Sequence, residues 1–270
     1  MNPSTILGMI LGAVIVALGV ILSTKNPLDL VDLPSLLLVI GGTVAATLIS
    51  YPLREVTRVF RIFMIVLRND NLYAREDMVE MVNFSRLYFN GDLVVLENAR
   101  ARLKNPFLRM GVQLLIDGAP IDDIVELMQW RISRLKAREA AEAQIFRSMA
   151  MYAPAFGMLG TLLGLVNMLR GLQGDFNSIG LNLSLAMITT LYGILLANLV
   201  FKPIAIKFER RTEKRVMQMN MVLEGITLMA QKRSPSFIKI YLESLSEQPA
   251  DELRSPASQV AAKPVRKTKG

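Results

Sequence analysis

The sequence contains no cysteine and no histidine among its 270 residues. The absence of these two residue types excludes disulfide bonds, cysteine and histidine nucleophiles, Ser-His-Asp relays and nearly all transition-metal sites. The chain also has no glycine-rich phosphate-binding loop, so nucleotide chemistry has no recognisable motif. Only 7% of the residues are aromatic and 20% are charged. These features argue against a soluble enzyme.

Hydrophobic residues are abundant, at 52% of the chain, and the mean hydropathy is +0.37. Because a fifth of the residues are nevertheless charged, the two kinds must be segregated, as in a membrane protein with soluble parts. Four segments carry no charged residue over the ~20 residues that a membrane-spanning helix needs. They are Thr5–Thr24, Leu33–Leu53, Ser148–Leu169 and Phe176–Phe201. The first lacks the basic start of a signal peptide, which predicts that it is retained.

The charged residues lie in two blocks outside these segments. Residues 54–147 hold 15 Lys and Arg against 13 Asp and Glu, and residues 202–270 hold 14 against 7. Together they contain 29 of the 31 basic residues, whereas the connections at 25–32 and 170–175 contain the other two. The positive-inside rule therefore predicts that both blocks and both termini are cytoplasmic. The net charge of +8 then reflects membrane topology, and nucleic-acid binding is not expected.

Helical periodicity extends through most of the charged blocks. Apolar residues recur every three or four positions from Ile121 to Leu135, which predicts an amphipathic helix over 120–147 that continues into the third span. Residues 202–232 are expected to extend the fourth span, and a last helix fits 236–246. Gly91, Pro106 and the segment from Gly118 to Pro120 divide the remaining sequence into shorter helices.

The predicted fold is an all-α membrane protein with four transmembrane helices, long cytoplasmic helical extensions and a helical cytoplasmic domain. Its predicted parts are a peripheral pair of spans (1–53), a cytoplasmic helical domain (54–147), a pair of spans facing a pore or partner (148–201), a cytoplasmic helical extension (202–246) and a disordered tail (247–270). The tail is rich in Pro, Ser, Ala and Lys and has no apolar periodicity.

The four spans contain no Asp, Glu, Lys or Arg side chain. Since such groups usually mark ion pathways, a chain of this kind that conducts ions needs a carboxylate from a partner helix. The spans do offer the hydroxyl groups of Thr161, Thr189 and Thr190, and cations accept hydroxyl oxygens in place of water. Each threonine alone is more simply explained by a bond to its own helix. Pro154 and Pro203 lie near the cytoplasmic ends of the same spans, where a proline produces a kink or hinge.

Small residues form stripes on the third and fourth spans. The glycines in these stripes are Gly157, Gly160, Gly164 and Gly193. Stripes of this kind let helix backbones approach closely in lipid. Either the two spans pack tightly against each other, or they pack around a further helix and leave hydroxyl groups facing a pore.

The sequence resembles a known family at these positions. The segment Pro154-Ala-Phe-Gly-Met-Leu-Gly-Thr-Leu-Leu-Gly164 is similar to the third-span motif of flagellar stator A subunits, the MotA/PomA family within the MotA/TolQ/ExbB superfamily. The segment Thr189-Thr-Leu-Tyr-Gly193 and the later Pro203-Ile-Ala are similar to the fourth-span motif. Asp32-Leu-Pro-Ser and Leu114-Leu-Ile-Asp-Gly118 resemble two further family segments. The similarity follows the chain in order from about residue 5 to residue 246.

The resemblance implies a multi-pass protein of the bacterial inner membrane with no enzymatic activity and no cofactor. It implies that five A subunits surround a dimer of B-type subunits, MotB/PomB-like, which supply the ion-binding Asp. It further implies that the transported ion is Na⁺ or H⁺ and that the cytoplasmic loop acts on the rotor switch protein FliG. By position, the resemblance implies that Pro154 and Pro203 are the gating prolines and that Thr161, with Thr189 or Thr190, lines the ion path. The combination of Thr161 with this fourth-span motif resembles the family members that transport Na⁺.

The charged residues that face the rotor in this family are harder to place in the present sequence. Arg86 and Glu97 are the candidates, but their spacing fits the pattern only with an insertion near Tyr88–Asp92. A solvent-exposed surface role explains either residue equally well. Two other functions are also compatible with the sequence. One is an ExbB/TolQ-like energiser of envelope transport, and the other is a membrane enzyme that binds Mg²⁺ or Ca²⁺ through Asp117, Asp122, Asp123 and Glu126. Helical spacing makes these four carboxylates a solvated face more readily than a metal site.

Overall fold

The computed structural model describes residues 3–23, 31–68, 74–91, 93–171 and 176–246. The predicted disordered tail and most of the 25–32 and 170–175 connections lie outside these residues. The described parts form helices α1 (Pro3–Ser23), α2 (Leu33–Ser50), α3 (Leu53–Arg68), α4 (Ala74–Asn90), α5 (Leu93–Arg102), α6 (Pro106–Ile116), α7 (Ile121–Gly171), α8 (Phe176–Leu195), a π-helical segment (Leu196–Phe201), α9 (Lys202–Ala230) and α10 (Pro235–Ser246). The all-α fold class is thereby confirmed.

The long helices agree with the periodicity of the sequence. Helix α7 runs for 51 residues without interruption, from the amphipathic segment through the third predicted span. The helix can be this long because it contains no adjacent glycines and only one internal proline, Pro154, to interrupt its hydrogen bonding. Helices α8 and α9 are joined by the π-helical segment, so the fourth predicted span also continues into the following charged block.

Local backbone signals set the ends of the shorter helices. Gly91 and Gly118 have φ angles of +79° and +70°, a left-handed conformation that glycine adopts without steric cost, and they follow α4 and α6. Asn105 caps the start of α6, where its side chain accepts a hydrogen bond from the backbone N–H of Phe107 at 2.9 Å. Asp32 does the same for α2 through the N–H of Ser35 at 2.8 Å.

Three described helices are long and apolar enough to cross a membrane: α2, α7 and the helix that begins in α8 and continues through α9. Helix α1 covers the first predicted span, and its place in the membrane stays a prediction. The boundaries between the predicted parts follow the expected membrane surfaces. These parts (1–53, 54–147, 148–201 and 202–246) also stay predictions.

The chain divides into two compact units. The first unit comprises the described residues within 1–72 and 134–215, and the second comprises those within 73–133 and 216–270. The core of the first unit is built from Val59, Ala143, Ile145, Phe146, Met149, Ile204, Ala205 and Phe208. The larger core of the second unit includes Met81, Phe84, Leu96, Leu108, Met128, Ile226, Met229, Ile238 and Leu242. Burial of such side chains from water stabilises the second unit by about 1.5–3 kcal/mol for each large residue.

Candidate functional site

Helices α7 and α8 cross at an unusually close distance, which glycine makes possible. A Cβ atom built on Gly160 would lie 2.6 Å from the side chain of Thr189, and one on Gly193 would lie 2.6 Å from the carbonyl oxygen of Ala153. A Cβ on Gly164 would meet Ala186 at 2.6 Å, and one on Gly157 would meet backbone atoms of α8 at 3.0 Å and 3.1 Å. All four glycines therefore lie in this one helix contact, where backbones touch without intervening side chains.

Two threonine hydroxyl groups meet inside this contact. The Oγ1 atoms of Thr161 on α7 and Thr190 on α8 are 2.5 Å apart. The Thr161 hydroxyl is also within 3.0 Å of the carbonyl oxygen of Ala186 and 3.2 Å of that of Gly157. The Thr190 hydroxyl lies 3.4 Å from the same Gly157 carbonyl. The result is a group of four oxygen atoms, two from hydroxyl groups and two from backbone carbonyls.

Oxygen groups of this kind are the ligands that hard cations use when they lose hydrating water. Both threonine side chains are half-buried, so they are neither sealed in the helix contact nor fully open. Each hydroxyl has a single hydrogen and two lone pairs, and the pair therefore keeps acceptor capacity after its internal hydrogen bonds are made. The arrangement can present oxygen lone pairs to a cation that passes along this face.

Thr189 is not part of that group. Its side chain is fully buried, and its hydroxyl donates to the carbonyl of Ala186, three residues earlier in the same helix, at 2.8 Å. The side chain packs against Gly160 of α7. Of the three threonines singled out by the sequence, the structure brings Thr161 and Thr190 together and assigns Thr189 to helix packing.

The two prolines lie at different kinds of backbone feature. Pro154 is inside α7, and its Cα atom would lie 3.1 Å from a Cβ on Gly193. Pro203 lies two positions beyond the π-helical segment Leu196–Phe201, at whose end the N–H of Lys202 donates to the carbonyl of Ala197, five residues earlier. Because proline has no N–H and its ring collides with the carbonyl four residues earlier, here that of Leu199, the preceding turn widens. Sequence reasoning expected a kink at Pro203 but did not identify the π-helical segment.

The candidate rotor charges lie in the second unit. Arg86 is on α4 and Glu97 is on α5, and both are exposed. The four carboxylates weighed as a metal site are exposed too, and Asp117 accepts a hydrogen bond from the side chain of Gln113 at 2.6 Å. Within the described residues, no three Asp or Glu side chains converge in a way that could hold a metal ion.

A set of ion pairs in the first unit could not have been identified from sequence. Arg147 on α7 donates two hydrogen bonds to Glu209 on α9, at 2.5 Å and 2.9 Å. Glu139 pairs with Arg215 and accepts from the hydroxyl of Thr212 at 3.0 Å. These partners are 62 to 76 residues apart in the chain, so no local pattern connects them.

Glu142 forms a third pair in this region, with Arg58 of α3 at 3.1 Å. Burial raises the pKa of the Glu142 carboxyl, and the attraction of Arg58 offsets only part of that effect. Hydroxyl contacts tie the same elements together: Tyr51 is 2.7 Å from Ser148, and Ser50 is 2.9 Å from Tyr152. These contacts join the end of α2 and the start of α3 to α7.

Comparison with known proteins gives consistent matches along nearly the whole chain. Residues 99–221 match the MotA/TolQ/ExbB proton channel family. The chain is 33% identical over 239 residues to Motility protein A of Cereibacter sphaeroides, covering 88% of this chain and 93% of that protein. It is 30% identical over 249 residues to the chemotaxis protein PomA of Vibrio alginolyticus, covering 90% and 95%. The solved flagellar MotAB stator complex of Bacillus subtilis superposes with a TM-score of 0.82 at 25% identity, covering 96% and 98%.

Proposed function

The chain belongs to the MotA/PomA family of stator A subunits within the MotA/TolQ/ExbB proton channel family, and from this premise we propose that it assembles with a B-type subunit into an ion-conducting flagellar stator. The full-length similarity to motility proteins supports this function over energising of envelope transport. The family is one of ion-channel components and not a class of enzymes.

The proposed B-type partner supplies the ion-binding carboxylate. The predicted spans of this chain contain no Asp, Glu, Lys or Arg, so a cation in the membrane needs its counter-charge from elsewhere. The solved relative from Bacillus subtilis is a complex of A and B subunits. We propose the corresponding arrangement here, with five copies of this chain around a B dimer. The glycine contact between α7 and α8 supports it, because a compact pair of helices presents a narrow, continuous face to a central helix.

The transported ion is proposed to be Na⁺. The single observation that carries this choice is the oxygen group around Thr161 and Thr190. A sodium ion must exchange part of its water shell for protein oxygens along its path, whereas a proton needs only a titratable group or a chain of water. Thr161 and Thr190 form the ion path in this proposal, and Thr189 supports it by packing.

Movement of the A ring is proposed to bend the chain at its prolines. Pro154 and Gly193 lie against each other in the α7–α8 contact, and Pro203 follows the widened π-helical turn. A π-helical turn is less stable than an α-helical turn and is common at functional positions. Ion binding to the B carboxylate would favour one arrangement of these helices over another, which is the condition for work to be done.

The proposed topology places both termini, both charged blocks and the second unit on the cytoplasmic side of the inner membrane. On this side the exposed Arg86 and Glu97 are available to the rotor switch protein FliG. The torque delivered to FliG is part of the proposal.

The test is the swimming speed of a motile host that lacks its own stator and expresses this chain with its cognate B subunit. Speed is measured against external Na⁺ at fixed pH, and it is expected to rise and saturate. Thr161→Ala and Thr190→Val should each raise the Na⁺ concentration needed for half-maximal speed. Thr189→Val is the matched control, because it removes a hydroxyl of the same helix whose hydrogen bond, within the described part of the chain, goes to Ala186 of that helix.

Each outcome separates one part of the proposal from the rest. Swimming that is independent of Na⁺ but stopped by a proton uncoupler would keep the stator and replace the ion. Equal effects of Thr189→Val and Thr190→Val would contradict the assignment of the ion path. Absence of swimming with both subunits present in the membrane, together with rescue of a host defective in Ton or Tol energisation, would favour the envelope-transport function.

A further inference from the structure

Helix α3 begins where a membrane-spanning helix ends. Helix α2 is long and apolar enough to cross a membrane, and its last residue is Ser50. The next residue, Tyr51, has an extended backbone and is followed by Pro52, so the chain changes direction before α3 begins at Leu53. The hydroxyl of Tyr51 is 2.7 Å from that of Ser148, the first residue of the predicted third span. The start of α3 therefore lies at the membrane surface where that span begins.

The middle of α3 lies at nearly the same level. The ring of Phe60 meets that of Phe146 edge to face, with 5.9 Å between the ring centres. Phe146 comes two residues before Ser148 in the sequence, about 3 Å along α7, whereas Phe60 comes seven residues after Leu53, about 10 Å along α3. Helix α3 therefore runs along the membrane surface and does not descend from it.

The contacts of α3 also show which of its sides faces the bilayer. Arg58 pairs at 3.1 Å with Glu142, which is one turn farther from the span than Phe146. Because Phe60 meets the nearer position, the side of α3 that carries Phe60 faces the bilayer. Leu53 shares this side, since positions seven residues apart nearly superimpose on a helix. Both apolar side chains are exposed, Leu53 by 64% and Phe60 by 43%, and a lipid interface would cover them.

Two arginines occupy the side of α3 that points away from the protein. Arg54 and Arg61 are seven residues apart and lie opposite Val56 and Val59, which are buried. Both arginines are exposed. Within the part of the chain that the structure describes, neither of them joins an ion pair, in contrast to Arg58. At the edge of the bilayer, their guanidinium groups can reach the depth of the lipid phosphates while their stems cover apolar surface.

We propose that α3 is a binding site for an anionic phospholipid, whose phosphate meets Arg54 and Arg61 and whose acyl chains cover Leu53 and Phe60. Charge complementarity favours an anionic lipid, because its headgroup presents the phosphate without a neighbouring ammonium group. Helices with an apolar side beside a basic one bind such surfaces. The inference depends on membrane insertion of α2 and α7, and it depends on neither the transported ion nor the rotor.

The test measures the thermal unfolding midpoint of the full chain, purified in detergent, as phosphatidylglycerol is added. Parallel titrations use phosphatidylcholine with the same acyl chains, and glycerol phosphate, which carries the anion without acyl chains. A compound that binds only the folded chain raises the midpoint. We expect the midpoint to rise and saturate with phosphatidylglycerol and to stay unchanged with the other two compounds.

Variants of the two arginines assign the site. The double variant Arg54→Gln, Arg61→Gln should need about 30-fold more phosphatidylglycerol for a half-maximal shift, about fivefold for each basic residue. Replacing both by lysine should retain most of the affinity, because the charge remains. Lys136→Gln is the matched control, since Lys136 is an exposed cation of the first unit about 18 Å before Ser148 along α7. It should bind the lipid as the unaltered chain does.

Equal shifts with phosphatidylglycerol and phosphatidylcholine would overturn the lipid site. Unchanged affinity in the double glutamine variant, or an equal loss in Lys136→Gln, would also overturn it. A shift with glycerol phosphate as large as that with phosphatidylglycerol would replace the lipid by a free anion. The comparison of the three compounds on the unaltered chain is decisive even where a variant folds poorly. Because no step depends on swimming, a negative result would leave the stator function intact.

Discussion

The close contact of α7 and α8 makes a quantitative prediction at Gly193. In Gly193→Ala the new Cβ would lie 2.6 Å from the carbonyl oxygen of Ala153 and 3.1 Å from the Cα of Pro154. Both are backbone atoms and cannot turn aside, so the helices must separate by about 0.8 Å to restore ordinary contact. Overpacking of this kind costs about 1–3 kcal/mol. The gain in helix propensity from glycine to alanine, about 0.5–1 kcal/mol, partly masks this cost.

Gly180→Ala provides the control that removes the masking term. Gly180 lies on the same helix, and a Cβ there would have no neighbour within 4 Å. Since both variants gain the same propensity, the difference between them isolates the overpacking cost of about 1–3 kcal/mol. The assay is thermal unfolding of the purified complex, where each kcal/mol corresponds to about 2–4 °C for a chain near this size. Equal midpoints for the two variants would refute the close helix approach.

Three further outcomes are expected. Burial raises the pKa of Asp77, and the hydrogen bond from Asn105 offsets only part of that effect. The folded state therefore binds a proton more readily than the unfolded state. The free energy of unfolding should fall as the pH rises from about 4 through the raised pKa. Asp77→Asn should flatten this dependence in denaturant titrations at several pH values. Pro203→Ala restores a backbone N–H that can donate to the carbonyl of Leu199, so an α-helical turn should replace the π-helical one. Slower amide hydrogen exchange in residues 196–203 should report this change. Arg86→Glu should lower motor torque at normal expression, and undiminished torque would remove Arg86 from the rotor contact.

The helices could be predicted because their signals are local. The amphipathic run that begins at Ile121 has no break before the third span, and the structure confirms one helix from Ile121 to Gly171. The last helix, expected at 236–246, spans Pro235–Ser246. Proline fixes φ and lacks an N–H, whereas glycine adopts left-handed φ angles without steric cost, so Pro106, Gly91 and Gly118 marked helix ends without any tertiary information.

Features that depend on distant partners could not be predicted in the same way. The pairing of Arg147 with Glu209 joins positions 62 residues apart, and many other opposite charges in the two blocks were equally available. Helix α3 illustrates the same limit. Its residue Val59 packs in one core with Phe146 of α7 and Phe208 of α9, and no local pattern in the sequence connects these three positions.

The choice between Thr189 and Thr190 shows where sequence reasoning stops and geometry is needed. The two residues are adjacent and chemically identical, so composition and spacing treat them alike. On a helix, however, neighbouring side chains point about 100° apart, and only one of them can face a given residue of another helix. Gly160 lies against the side chain of Thr189, and Gly157, one turn earlier on α7, lies against the backbone of Thr189 and Thr190. The glycine stripe thereby sets the register of α8, and this register brings the hydroxyl of Thr190, and not that of Thr189, to Thr161. A change that shifts the register, such as Gly160→Val, should therefore disturb the ion path more than loss of the Thr189 hydroxyl does.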